Sequence, residues 1–436
     1  MTAALRRGLL VLGLVCFMVA PAFSQAEQPS SGFGFKMGLG IGVQTFNDST
    51  PPTTWQSLSL TPDISFGKLG VGFDLTLNYN FGAANNSLQV RQADWWPTGS
   101  VTFQSVLAIY LPKIAYVRWG EKGDPLFIKV GSFDDATLGD GFIMGDYNNM
   151  LFLPAERHFG FQADLDGSLF DFPYVGVETA VGNLAQLDVM GARVYVRPLV
   201  KTPIPILNAL QIGVTAAVDT NSAYALSILG VGALVPIIYQ KDVFSLLAFT
   251  DAAVINLPGK NAWGSMAGVG GRIINIFTYG AQLRLLGSGF APTYFGPTYD
   301  ALRGTQYQAL RNSGGSGVTF GGLVTLGTSL LGDALIFKVT LDAPFITSET
   351  DPTLSQPHLN GILTLAPGVL PVFSFDVVYD KKGIQGFDLT NTVIQAKLNL
   401  QSGPAVISFV YYITPEPGQS PPYTVTSGLQ STIALF

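Results

Sequence analysis

Residues 317–343 carry the pattern that most restricts what this chain can fold into. From Val318 the even positions read Val318, Phe320, Gly322, Val324, Leu326, Thr328 and Leu330, and the odd positions between them are small or polar apart from Leu323. Side chains alternate across a strand, so this run has one apolar and one small or polar face. A tight turn at Leu331, Gly332 and Asp333 reverses the chain. The return run sets Leu335, Phe337, Val339, Leu341 and Ala343 on one side and Lys338, Thr340 and Asp342 on the other. A soluble sandwich would bury the apolar face against a second sheet. A membrane barrel would turn it to lipid and leave Lys338 and Asp342 in a wet interior.

Composition favours the barrel. The 436 residues are 47% hydrophobic and 12% charged, against about 25% charged in ordinary soluble domains. The 50 glycines and 30 phenylalanines are both many. Residues 1–26 have the form of a secretory signal peptide: Arg6 and Arg7, an apolar stretch over 8–20, and small residues at Ser24 and Ala26. Cys16, the only cysteine, lies inside that segment, so the mature chain is expected to have no disulfide or thiolate metal site. Losing Arg6 and Arg7 with no acid takes the formal charge from -6 to -8, and nucleic acid is not an expected partner.

The same rhythm runs along residues 27–436. Val71, Phe73, Leu75, Leu77, Tyr79 and Phe81 alternate with Asp74, Thr76, Asn78 and Asn80, and Arg193, Tyr195 and Arg197 share a face opposite Val194 and Val196. Residues 101–119 are expected to form one long strand, bulged or broken at Pro112. Residues 223–239 are almost wholly apolar, but Gly230, Gly232 and Pro236 favour a strand with a small inward face over a membrane helix. The expected fold is all-β: a transmembrane antiparallel barrel of about 16–20 strands. Short connections at 67–68, 240–242, 331–333 and 401–404 form one rim, the periplasmic one. Long loops at 82–100, 133–157, 287–314 and 346–357 form the extracellular rim. An even strand count puts both termini at the short-turn rim. Trp55, Trp119 and Trp263, near strand ends, suit aromatic girdles.

The last strand, 423–436, ends in Phe436. In this the chain resembles bacterial outer-membrane β-barrel proteins of porin-like type. The resemblance implies residence in the outer membrane of a double-membraned bacterium, insertion by its assembly machinery through that strand, and contact with the lipid bilayer. Ala434, Thr432 and Gln430 stand at alternate positions back from Phe436, with Leu435, Ile433 and Leu429 on the other face.

No enzyme chemistry, cofactor or metal site is expected. His158 and His358 are far apart, and no Gly-x-Ser-x-Gly elbow marks a nucleophile. The loop 133–157 mixes acids with Phe142, Ile143, Met144, Met150, Leu151, Phe152 and Leu153. It is too apolar for a plain solvated loop, and either folds into the barrel or packs outside on its neighbours. Folded inward, Asp134, Asp135, Asp140 and Asp146 would narrow the pore and set its charge preference. Arg118, Lys129, Arg193 and Arg197 on neighbouring strands are the expected counter-charges. The expected function is a porin-like channel for passive diffusion of small hydrophilic solutes, compatible with a homo-oligomer. The alternatives are a transporter of hydrophobic solutes with a plugged lumen, to which the apolar 223–239 strand would suit, and a surface binding or adhesion barrel using the long loops 82–100 and 287–314.

Overall fold

Alternating strands of this kind leave two unsatisfied edges unless the sheet meets itself, and in lipid no edge can be left open. The computed structural model describes residues 33–46, 53–81, 87–150, 157–240, 243–313, 317–331, 334–348, 356–384, 389–402, 405–416 and 420–434. Its strands join one antiparallel sheet that closes where β1 (Phe33–Phe46) pairs with β22 (Tyr423–Ala434). Of its 22 strand segments, β3 (Leu69–Phe73) and β4 (Leu75–Phe81) both pair with β2 (Thr53–Phe66) and make one stave. β5 (Leu88–Val90) pairs with β4, and β6 (Ile114–Trp119) with β3, so these two are halves of the next stave. The result is a closed barrel of 20 staves. The signal segment and Phe436 lie outside the described residues.

Val194, Ile212, Val214, Leu229, Val231, Leu283, Val324, Leu326 and Leu429 are all at least 40% exposed on the outer surface. An apolar surface this extensive belongs against lipid rather than water. In β16 (Val318–Leu330) and β17 (Leu335–Thr347) the apolar set faces out, and Lys338 and Asp342 face in. The last strand turns Leu429 and Ile433 outward. Residues 226–240 form a strand, β12 (Leu226–Gln240), with Ile228 and Gly230 buried inside. No helix among the described residues is long and apolar enough to cross a membrane.

The short connections gather at one rim. There Gly67, at φ 54°, and Lys68 make a two-residue turn between Phe66 and Leu69. Both described ends of the chain, Phe33 and Ala434, stand at that rim. Two sequence expectations are corrected. Residues 101–119 are not one strand: Thr102 and Ser105 form a reciprocal cap that starts a helix, Phe103–Tyr110, and Pro112 sits in the following short turn. Only 114–119 is strand, because the capping pair satisfies the helix's first free N–H groups. Trp119 and Trp263 are about half exposed on the outside. Trp55, however, pairs across strands with buried Gln44 and so shares the inner face.

Staves are not equally long. β6, β7 (Leu126–Gly131), β8 (Gly160–Asp166), β9 (Val175–Val181), β10 (Val189–Val196) and β11 (Gln211–Asp219) have 6–9 residues. β12, β13 (Phe244–Leu257) and β14 (Lys260–Ile273) have 14–15.

Candidate functional site

Two loops from the long-loop rim pack against the inner face of the wall. The first follows β7. Phe133, Ala136, Leu138, Phe142, Ile143, Met144 and Tyr147 are each at most 3% exposed. The second lies between β15 (Phe277–Gly287) and β16 and contains a helix, Tyr299–Asn312, with Tyr299, Leu302, Tyr307 and Leu310 buried. The loops are bonded to each other. The Thr293 N–H donates to Phe142 O at 2.7 Å, the Gly145 N–H to Phe295 O at 3.1 Å, and the Thr293 hydroxyl to Gly141 O at 3.0 Å. Phe142 and Phe290 stack with ring centres 5.4 Å apart.

This double plug packs tightly on the wall β9–β14. A Cβ on Gly191 would lie 2.7 Å from Leu138, and one on Gly264 only 2.4 Å from the Phe290 ring. Glycine at those two positions is what lets the plug approach. Arg303, on the helix, donates to Asp188 at 2.7 Å and through Nε to Asp219 at 2.6 Å. Asp188 precedes β10 and Asp219 ends β11. Tyr299 donates to Asp219 at 2.5 Å and Tyr147 to Asp300 at 3.2 Å. Burial pushes both phenols well above their ordinary range, and the neighbouring Asp300 adds to the effect on Tyr147. They therefore stay neutral and donate.

Against the wall from β15 to β19 the plug leaves a gap: a polar cavity of about 270 Å³. β18 (His358–Leu365) and β19 (Phe373–Lys382) complete that wall. From the plug come Asp140, Asp146, Thr293 and Thr298; from the wall come Arg284, Lys338, Asp342, His358, Asp380 and Lys382. Lys338 bridges wall and plug, bonding Asp146 at 2.5 Å. Arg284, 3% exposed, donates to Asp342 at 2.6 Å. Asp380, 1% exposed, accepts from Thr298 of the plug at 3.0 Å and contacts His358 Nε2 at 2.9 Å. Cations and acids thus interleave around one polar cavity, an arrangement that can bind and orient a small polar solute without chemistry on it.

The structure brings Asp140 and Asp146 to this cavity. Asp134 and Asp135 are exposed at the near end of the same loop, where the ammonium of Lys122 reaches the Asp135 carbonyl at 2.5 Å. Lys129 is close enough to Asp134 to act on its charge. Arg193 lies under the loop: Gly139 sits on its guanidinium and donates its N–H to Glu178 at 2.8 Å, while Arg193 donates to the other oxygen of Glu178 at 2.8 Å. Arg197 pairs with Asp166, and Arg118 lies 3.9 Å from Glu121, both toward the short-turn rim. The sequence reading placed 287–314 among the outer loops and not in the plug, and did not name Arg303 or the charges Arg284, Lys382 and Asp380. A signal for that loop was present in the aromatic residues Phe290, Tyr294, Phe295 and Tyr299.

No family model matches the chain, and no curated protein does. Among solved structures, that of Pseudomonas aeruginosa OccK2 (OpdF) with glucuronate is 10% identical, with 93% of this chain and 98% of that one covered and a TM-score of 0.34. P. aeruginosa OpdK with vanillate is 12% identical over 92% and 98%, at 0.34. Acinetobacter baumannii OccAB4 is 10% identical over 92% and 98%, at 0.36. At such scores the barrel is better read from its own strand pairing.

Proposed function

We propose that this protein is an outer-membrane channel for passive diffusion of small hydrophilic solutes, narrowed by its two inserted loops. The observation that carries this reading is the charged cavity between plug and wall, in which Asp140 and Asp146 face Arg284, Lys338 and Lys382. A barrel of this strand number without a plug would hold a wide aqueous channel. With the plug, the passage is confined to the β15–β19 side, and its paired charges set selectivity in the manner of charged rings in channels. Asp134 and Asp135, beside Lys122 and Lys129, form a second charged zone at the near end of the loop. The exposed apolar belt and the grouping of short turns at one rim support the outer-membrane location.

Single-channel recording of the refolded protein in a planar bilayer, with reversal potential under a salt gradient, tests this. We expect small, steady openings, and a fall in cation preference when Asp140 and Asp146 become Asn. A folded barrel that passes no ions would reject the channel. One feature favours a transporter of hydrophobic solutes in that case: the interrupted fourth stave, whose inserted helix leaves Val101 and Phe103 59% and 80% exposed.

A further inference from the structure

A second cavity, of about 300 Å³, lies nearer the long-loop rim, between the plug helix and Gln356 and Asn391, which stand just before β18 and β20 (Thr392–Ser402). It shares Lys382, Gln306 and Ala291 with the charged cavity, so the two adjoin. Its chemistry differs from that of the inner cavity. Around it stand the carboxamides of Gln306, Gln308, Asn312, Gln356 and Asn391, with Lys382 at the neck. No acid lines it among the described residues. Gln306 Oε1 is buried without a hydrogen-bond partner, and no hydrogen bond to a described residue occupies the other four amides.

Each carboxamide offers one carbonyl acceptor and two N–H donors. Five of them, none with a side-chain hydrogen bond to a described residue, present an uncharged surface that both donates and accepts at closely spaced points. Its complement is a molecule whose hydroxyls do the same on successive carbons. Among the described lining residues a cationic solute finds no counter-charge, and an anionic one finds only Lys382. The volume falls at the lower end of the range of small-ligand sites. We infer that this outer vestibule is a binding site for neutral polyhydroxylated solutes of the saccharide class, captured before the charged neck at Lys382. The inference rests on the gap being a solute route, and adds to that reading the class of solute.

Calorimetric titration of the folded, full-length protein in detergent with glucose and with maltose tests the site, with glutamate and lysine as charged, non-polyol probes. Binding needs no conduction, so the two readings fail separately. We expect saturable saccharide binding and weaker or no binding of the charged probes. Gln306→Leu and, independently, Gln356→Leu should each weaken it about tenfold, the loss of roughly one neutral hydrogen bond. Heat-modifiable electrophoretic mobility checks that each variant is folded. Absence of saccharide binding in the folded wild type, or affinity unchanged in both folded variants, overturns the site even if the protein conducts. Binding by a protein that conducts nothing supports the site and overturns the channel.

Discussion

The two halves of the lumen are built on opposite principles. On the side of β9–β14 the wall presents glycines and apolar residues into which Leu138, Ile143, Met144 and Phe290 of the plug press, and its charges Glu178, Arg193 and Asp219 are paired. On the side of β15–β19 the wall presents Arg284, Lys338, Asp342, Asp380 and Lys382, and the plug answers with Asp140 and Asp146 across a gap. Close packing excludes water and fixes the loops where it occurs. Where packing is absent, paired charges line a cavity instead. In the proposed channel the plug is thus an anchored lining rather than a stopper, with one face holding it and the other bordering the gap.

Arg303→Ala should strike the anchored side hardest. It leaves Asp219, whose side chain is 0% exposed, without its cation, and such losses cost about 3–5 kcal/mol. The expected outcome is loops released from the wall, read as larger, noisier conductance and new protease cuts within 288–313. Unchanged conductance and protection would mean the plug is held by packing alone. Gly264→Leu should be milder, at about 1–3 kcal/mol for overpacking, because its side chain must displace the Phe290 ring. Thermal melting should drop, and a second substitution, Phe290→Ala, should restore part of the loss. Lys338→Gln probes the other side. Its pair with Asp146 is about a third exposed, so docking should change by no more than about 1 kcal/mol. The reversal potential should nevertheless move toward cations. A melt shifted as far as that of Arg303→Ala would erase the distinction between the two halves.

Much of this was legible along the chain. Alternation over 318–343 predicted which of Lys338 and Leu341 faces the lumen, and the clustering of Gly67 with Lys68, and of Leu331 with its neighbours, predicted the short-turn rim. The apolar residues of 133–157 marked that loop as unusual. The helix Phe103–Tyr110 was misread as strand because its apolar residues satisfy both periods over so short a run. The partners of the acids were out of reach. Arg193 and Arg197 are near Asp140 in sequence logic, yet Arg193 serves Glu178 and Arg197 serves Asp166, while Asp146 meets Lys338 from the far wall.

The sequence by itself determined the barrel, its lipid face and its two rims, because a period of two and the position of turn residues are local properties of the backbone. Only the tertiary structure decided that residues 288–313 join the plug, that the wet gap lies along β15–β19, and that Asp188, Asp219 and Arg303 meet. Those contacts join residues as many as 192 positions apart. They depend on how deep each loop descends and which glycines admit it, which no local pattern encodes.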